Sequence, residues 1–165
     1  MYGLTNIEMD AIYAWVSSIV GPSIQVFWTN EANIRPVKPF VSLMVIKPRR
    51  ATHMPEQSYN DAKDDGTWNA DFTEFFDLRC VAVSDVDADV IANNIDRSSY
   101  LNPYKENLYT QGLSCMQTIG IGSARRPIGD KFEYVSNVDF RFGSKTTVET
   151  SRGIIEHVDK IIYEP

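Results

Sequence analysis

Apolar residues recur at three- and four-residue spacing near the start of the chain, which is the pattern of an amphipathic helix. They are Leu4, Ile7, Ala11, Ile12, Trp15, Val16 and Ile19. Thr5 and Glu8 have the capping-box spacing, in which two free amides at a helix start are satisfied. Gly21 and Pro22 then interrupt the pattern. The sequence therefore predicts a helix over residues 5–20.

Two short β-branched and aromatic runs follow, at residues 24–29 and 40–46, and they predict two strands. The second run has apolar side chains at both parities, as expected of a central strand that is covered on both faces. Residues 48–70 form the least apolar stretch of the chain. We expect this stretch to be a long, polar and mobile loop.

Residues 71–84 alternate in polarity and predict a strand that pairs with strand 40–46. Asp85 is placed to cap a following helix, which would run to about Ser99. The predicted buried stripe of that helix is Val86, Val90, Ile91 and Ile95.

A shorter helix is predicted over residues 104–111, opened by Asn-Pro and closed by Gly. Strands are predicted over residues 113–121 and 132–142, with a turn-rich connection over 120–129 between them. The final segment fits a helix or a strand, and we favour a strand that follows a turn at residues 151–153.

These elements describe an α+β fold with two layers, in which a mixed, mostly antiparallel β-sheet packs against two to three helices. The 165 residues are expected to form a single domain that spans residues 1–165 and carries the polar loop at 48–70. With 43% hydrophobic and 23% charged residues, the composition is that of a soluble globular protein.

The net charge of −6 repels phosphate groups, which disfavours sequence-specific binding of nucleic acid. No apolar run approaches the ~20 residues that span a bilayer, and no targeting segment is expected. Cys80 and Cys115 lack the spacing of a zinc site or a redox pair. They are expected to be inert core thiols in a reducing cytoplasm, although a disulfide between them stays open.

Two local motifs resemble ligand-binding sequences but lack required residues. Asp85, Asp87 and Asp89 have the spacing that begins a calcium loop, but Val90 stands where Gly is needed and Asp96 where Glu is needed. The glycines of 120–125 are not followed by a helix, so they do not predict a phosphate site. We expect the acidic trio to be a helix start.

The only histidines, His53 and His157, do not form a ligand set with neighbouring Cys or carboxylate residues. We therefore expect no metal, no cofactor and no catalytic residues, and no enzyme activity. The alternative from another class is a small enzyme whose site is not visible in the sequence, with His157 or the Asp cluster as participants.

Three segments and their order carry a resemblance to a known family. They are "IQVFWTNEANIRPVKPFVSLMVI", "FFDLRCVAVSDVDADVIANNI" and "FEYVSNVDFRFGSKTTVETSRGIIEHVDKI". After an amino-terminal helix, this arrangement resembles the tail or neck terminator (tail completion) proteins of tailed bacteriophages.

The resemblance implies a structural virion protein of the tail or neck, assembled in the host cytoplasm. It also implies a homo-oligomer, a hexameric ring, that caps the tail tube and joins it to the head-connector proteins, while DNA passes through the ring. An alternative within phage structure is another joining protein, such as a head-completion or baseplate component.

Exposed aromatic and arginine side chains are common interface anchors, so we take five such residues as the candidate assembly interface. They are Arg49, Arg50, Trp68, Arg125 and Arg126.

Overall fold

The computed structural model describes residues 4–30, 36–51, 56–60 and 67–151. Three helices and six strands lie in these ranges and confirm the predicted α+β class. The helices are α1 (Asn6–Val20), α2 (Ala88–Ser98) and α3 (Asn102–Thr110). The strands are β1 (Gln25–Trp28), β2 (Phe40–Ala51), β3 (Glu56–Asn60), β4 (Thr67–Ser84), β5 (Leu113–Ile128) and β6 (Lys131–Ser151).

The strands form one mixed sheet in the order β1-β2-β4-β6-β5, with β3 paired to β4 away from this path. β1 is parallel to β2, whereas β3 is antiparallel to β4 and β5 is antiparallel to β6. β2 lies inside the sheet beside β4, as predicted. Among the described strands, β1 and β5 are the two ends of this path.

Contacts along the chain group it into two compact units. The first contains Met1–Arg50 and Phe75–Ser144, and the second contains Ala51–Glu74 and Lys145–Pro165. The first unit holds the three helices, β1, β5 and the hydrophobic core. The second holds the β3–β4 hairpin pairing, in which Tyr59 lies opposite Trp68.

The predicted loop over residues 48–70 is wrong in the described part of that stretch. Residues 48–51 continue β2, β3 occupies 56–60, and β4 begins at Thr67. Antiparallel pairing uses backbone amides and carbonyls, so a polar stretch can form strands whenever a partner strand is adjacent. The polar composition of this stretch therefore did not exclude strands.

The core of the first unit lies between the helices and one face of the sheet. Trp15 of α1 packs edge-on against Phe140, with ring centroids 5.3 Å apart, and Phe76 stacks on Phe142 at 5.4 Å. The indole Nε1–H of Trp15 donates a 3.0 Å hydrogen bond to Ser98 Oγ of α2. Trp15 thus connects α1 to both the sheet and a second helix.

The start of α1 agrees with the predicted capping box. Glu8 N donates to Thr5 Oγ1 at 3.3 Å, and Thr5 N donates to Glu8 Oε2 at 2.8 Å. Gly21 follows the helix with φ of 79°, a conformation that glycine adopts without a steric cost. The local signals at both ends of this helix were sufficient to place it.

Helix α2 begins later than predicted, and its buried stripe differs. Asp87, not Asp85, is the N-cap residue, and the prediction that Val86 and Val90 are buried is wrong because they are 84% and 57% exposed. The buried face is formed by Ala88, Ile91, Ala92, Ile95 and Ser98. Small side chains permit the close packing of α2 against α1, which turns the valines outward.

The predicted turn at residues 120–129 is also wrong, because β5 continues to Ile128 and only Gly129 and Asp130 connect it to β6. Gly129 has φ of 57°, as a two-residue hairpin requires. A Cβ on Gly122 would lie 2.9 Å from Asn137 Oδ1, so this glycine makes room for the neighbouring strand. The predicted final strand lies in residues 152–165, outside the described residues.

Candidate assembly surface

The hairpin of β5 and β6 carries an exposed segment, residues 119–132, which we call the arm. Four large apolar side chains of the arm are at least one-third exposed. They are Ile119, Ile121, Ile128 and Phe132, the last of which is 61% exposed. Clusters of exposed apolar side chains commonly mark surfaces that contact another molecule.

One face of the arm combines aromatic and arginine side chains. Pro127 lies opposite Phe132 in the hairpin register, and Arg125 lies opposite Tyr134. The Arg125 guanidinium carbon is 5.2 Å from the centroid of the Tyr134 ring. This cation–π contact orients Arg125 before any partner binds, and aromatic and arginine residues supply many of the strong contacts in protein interfaces.

Ion pairs hold the opposite face of the arm to the rest of the first unit. Arg126 lies opposite Glu133, and Arg126 Nη1 is 3.7 Å from the Glu133 carboxylate. Lys38 Nζ is 3.1 Å from the same buried carboxylate and 2.9 Å from Asp85 Oδ1. Hydrogen bonding to Asp85, and then to Glu133, raises the pKa of Lys38. The start of β6 is thus fixed by charge pairing.

Helix α2 supports the base of the arm through two hydroxyl groups of β5. Thr118 Oγ1 donates to Asp96 Oδ1 at 2.5 Å, and Ser123 Oγ donates to Asp89 Oδ1 at 2.6 Å. These contacts lie two helical turns apart, so α2 follows β5 over this distance. Beyond Ser123, the arm residues through Phe132 are exposed on the surface.

Charged pairs between β4 and β6 stabilise the strand from which the arm extends. Arg141 donates two hydrogen bonds to Asp77, of 2.8 and 3.1 Å, and Arg79 donates two hydrogen bonds to Asp139, both of 2.7 Å. Lys47 Nζ lies 3.1 Å from Asp77. The hydrogen bonds from Arg141 lower the pKa of Asp77 despite its burial, and pairing with Asp139 raises the pKa of Arg79.

A groove lies at the opposite end of the strand order, between α1 and β1. It has a volume of about 550 Å³. We call it the α1–β1 groove, and its lining includes Asn6, Met9, Asp10, Tyr13, Phe27 and Trp28. Asp10 and Tyr13 are exposed, so the groove presents a carboxylate beside aromatic side chains.

The five predicted interface residues lie in different settings. Arg125 and Arg126 are exposed neighbours in the arm. Arg50 is exposed near the end of β2, whereas Arg49 is mostly buried, with its guanidinium paired to Glu8 and 5.9 Å from the Phe76 ring centroid. The backbone of Trp68 lies in β4, and its side chain is outside the described part of the structure.

Two parts of this surface were not predicted from the sequence. Phe132 begins the predicted strand 132–142, and it is largely exposed near the hairpin turn. The α1–β1 groove was not predicted either, because it forms only when α1 packs beside β1. The Gly129–Asp130 pair is a two-residue hairpin signal that could have located the arm from sequence.

The groups considered for catalysis or metal binding do not assemble into a site within the described residues. Asp85 pairs with Lys38, Asp89 accepts from Ser123, and no group of three or more His, Cys, Asp or Glu that could hold a metal occurs there. His53 and His157 lie outside the described residues.

Both cysteines are free thiols in the structure. Burial is the largest cause that raises their pKa values, and the pKa of Cys115 rises to about 11. Cys80 is fully enclosed in the core. A disulfide between the two cysteines, which the sequence left open, is not present.

The structure has an α+β fold, and its exposed arm offers a surface suited to contacts with another molecule. The family model for phage neck terminator proteins matches residues 9–164, and the chain belongs to this family. It is therefore a structural protein of the phage neck or tail, which implies a non-enzymatic role.

Comparison with solved structures finds a chain from the "Virion of native gene transfer agent (GTA) particle". The two chains share 11% identity over 84% of this chain and 92% of that one, with a TM-score of 0.30. None of the curated proteins compared with the sequence matches it significantly. In the part of the chain that the structure describes, no helix is long and apolar enough to span a membrane.

Proposed function

We propose that this protein forms a homo-oligomeric ring, a hexamer, that caps the phage tail tube and joins it to the head-connector proteins. The observation that carries the proposal is the match to the neck terminator family over almost the whole chain. A terminator must present one surface to its own copies and others to the tube and connector. The exposed arm and the α1–β1 groove are two separate surfaces of the kind that such contacts need.

The charge of the chain supports the passage of DNA through this ring. A net charge of −6 repels phosphate groups, so DNA could slide through a bore without being retained. Contacts of the protein with DNA would then be independent of base sequence. No sequence-specific recognition is proposed.

The assembly contacts are proposed to include Arg125 and Arg126 in the arm, and Arg50 and Trp68 near the β2 and β4 segments. Arg49 was predicted with them, and its pairing with Glu8 gives it a role inside the subunit. A test of Arg50 and Trp68 should therefore leave Arg49 in place. Arg50→Ala with Trp68→Ala removes the exposed charge and the aromatic side chain while keeping the Arg49–Glu8 pair.

The first experiment is the mass of the purified protein, by light scattering after size exclusion, over a series of concentrations. It should be repeated with purified tail tubes, followed by negative-stain imaging. Rings of about six subunits, either free or at tube ends, would support the proposal. A monomer at every concentration, without rings at tube ends, would overturn it and favour another joining role.

Rings that form but do not bind tubes would separate assembly from capping. In that case the tube-binding part of the proposal would be wrong, and binding to head-completion or baseplate proteins should be measured next. Loss of tube binding by the Arg50→Ala/Trp68→Ala variant, with rings intact, would assign at least one of these two residues to the contact with the tube. Unchanged assembly and tube binding would show that these two residues are not interface anchors.

A further inference from the structure

The arm differs in charge from the rest of the molecule. The arm contains three basic residues, Arg125, Arg126 and Lys131, and one acidic residue, Asp130, so residues 119–132 carry a net charge of +2. The whole chain carries −6, which leaves −8 on the remaining residues. The arm of one copy is therefore attracted to the body of another, and this attraction orients two identical chains as they meet.

The location of the arm determines what kind of assembly such a contact can build. The arm belongs to β5, at one end of the strand order, and the α1–β1 groove lies at the other end. A contact between these two different surfaces is heterologous, since each copy offers one surface to the preceding copy and the other to the following copy. Heterologous contacts generate rings when the rotation between copies closes.

The α1–β1 groove matches the chemistry of the arm. Asp10 presents an exposed carboxylate that can accept hydrogen bonds from a guanidinium group, and Tyr13 lies one helical turn away from it on α1. The arm presents Arg125, already oriented over Tyr134, and the exposed ring of Phe132. An aromatic ring in a groove next to a charge-assisted hydrogen bond is a common arrangement of interface anchors.

We propose that the arm of one copy docks in the α1–β1 groove of the next copy, with Arg125 paired to Asp10 and Phe132 buried against the aromatic lining. This inference rests on the proposed ring and specifies its subunit contact. It assigns Arg125 and Phe132 to one side of the contact and Asp10 to the other. The occupant of the groove is thus a second copy of the same chain.

The test compares charge reversals on each side of the contact. Arg125→Glu places a carboxylate opposite Asp10, and Asp10→Arg places a guanidinium opposite Arg125, so each single variant should raise the concentration needed for half-assembly at least ~10-fold. The double variant Arg125→Glu/Asp10→Arg restores an opposite-charge pair. It should assemble within about threefold of the wild-type concentration, because the pair is re-formed in the opposite direction.

Matched variants control for charge and folding. Arg97→Glu on α2 makes the same charge change as Arg125→Glu at another exposed site, and Glu106→Arg on α3 matches Asp10→Arg. Phe132→Ser should weaken assembly, whereas Tyr109→Ser, which removes a 74% exposed aromatic ring of α3, should not. Circular dichroism melts of each variant check that loss of rings is not loss of folding.

The outcomes separate this inference from the proposed function. The masses of the wild type and of each variant are measured in the absence and in the presence of tail tubes. If the wild type forms rings and the double variant recovers what the single variants lose, the contact is supported. If the wild type forms rings and Arg125→Glu, Asp10→Arg and Phe132→Ser form them equally well, or the double variant fails to recover, the contact is wrong while the ring remains. If the wild type forms no rings in either condition, both proposals fail.

Discussion

The guanidinium group of Arg141 holds the carboxylate of Asp77 by two hydrogen bonds, at 2.8 and 3.1 Å, between neighbouring strands β6 and β4. Asp77 is only 2% exposed, yet its charge is matched by Arg141 and by Lys47. The next pair along these strands is Arg79 with Asp139. In this pair the basic residue lies on β4 and the acidic residue on β6, whereas in the first pair the acidic residue lies on β4. This reciprocal arrangement favours one register of β6 against β4, because a shift would bring like charges together.

Acid should weaken the Asp77 pairing in a defined range. The Arg141 hydrogen bonds lower the pKa of Asp77 from its ordinary 3.8, so its contribution to stability is complete above pH ~3.8 and is lost as the pH falls through the lower folded-state value. The difference in unfolding free energy between wild type and Asp77→Asn should therefore be constant near neutral pH and shrink below pH ~3.8. Urea titrations at several pH values measure it.

Asp130→Asn is the control for this experiment, since it removes a carboxylate from the exposed hairpin turn. Its unfolding free energy should stay close to the wild-type value across the same pH range. A gap between wild type and Asp77→Asn that stayed constant down to pH ~2 would show that the pKa of Asp77 is not lowered in the folded protein.

Removal of the Trp15 side chain should be among the most damaging single changes in the core. Trp15 is 4% exposed, contacts Phe140 and Phe142, and donates to Ser98. Trp15→Ala should cost about 4 kcal/mol of unfolding free energy, because it leaves a cavity and an unfilled hydrogen-bond position. Chemical denaturation measures this loss.

Tyr109→Ala is the comparison for Trp15→Ala, because it removes an aromatic ring that is 74% exposed. Its effect should stay within ~0.5 kcal/mol. Equal losses for the two variants would mean that Trp15 is not the link between α1, α2 and the sheet that the structure shows.

The capping box of α1 should have a smaller and local effect. Thr5→Ala removes the hydroxyl that accepts from Glu8 N, and it should lower the unfolding free energy by about 1 kcal/mol. Thr110→Ala, at the end of α3, removes a hydroxyl that only donates to the Asn107 carbonyl and should change stability by less than ~0.5 kcal/mol. Thermal melts of both variants measure these effects. An unchanged stability of Thr5→Ala would show that the cap does not stabilise α1.

Neither cysteine should react readily in the folded protein. Thiolate is the reactive form, and burial raises the pKa values of Cys80 and Cys115, the latter to about 11, so both thiols are protonated near pH 7.5. Incubation with iodoacetamide, followed by mass spectrometry, should find little labelling in native protein and complete labelling in urea. Rapid native labelling of Cys80 would contradict its position in the core.

Helix positions were the features most directly predictable from sequence, because their signals are local. Thr5 and Glu8 specify the start of α1 through contacts three residues apart, and Gly21 specifies its end. The same locality explains the α+β class, since each apolar run makes a helix or a strand with little information from distant residues. Within α2, the buried stripe depended on packing against α1, and there the prediction of Val86 and Val90 as buried was wrong.

The candidate surface could be predicted only in part. Arg125 and Arg126 were selected as an exposed pair, and the structure does expose both. The hairpin that carries them was taken for a turn, because Gly120 and Gly122 have weak strand propensity and their pairing with β6 is a tertiary contact. Arg49 has the same side chain as Arg125, and only its position beside Glu8 and Phe76 turns it inward.

By itself, the sequence determined the α+β class, the start and end of α1, the acidic charge and the resemblance to terminator proteins. These properties follow from composition, from short-range periodicity and from the linear order of segments. Only the tertiary structure decided that β1 and β5 stand at opposite ends of the strand order, and that residues 119–132 form an exposed arm. Strand order and exposure arise from contacts between residues far apart in the chain, and such contacts leave no local pattern in the sequence.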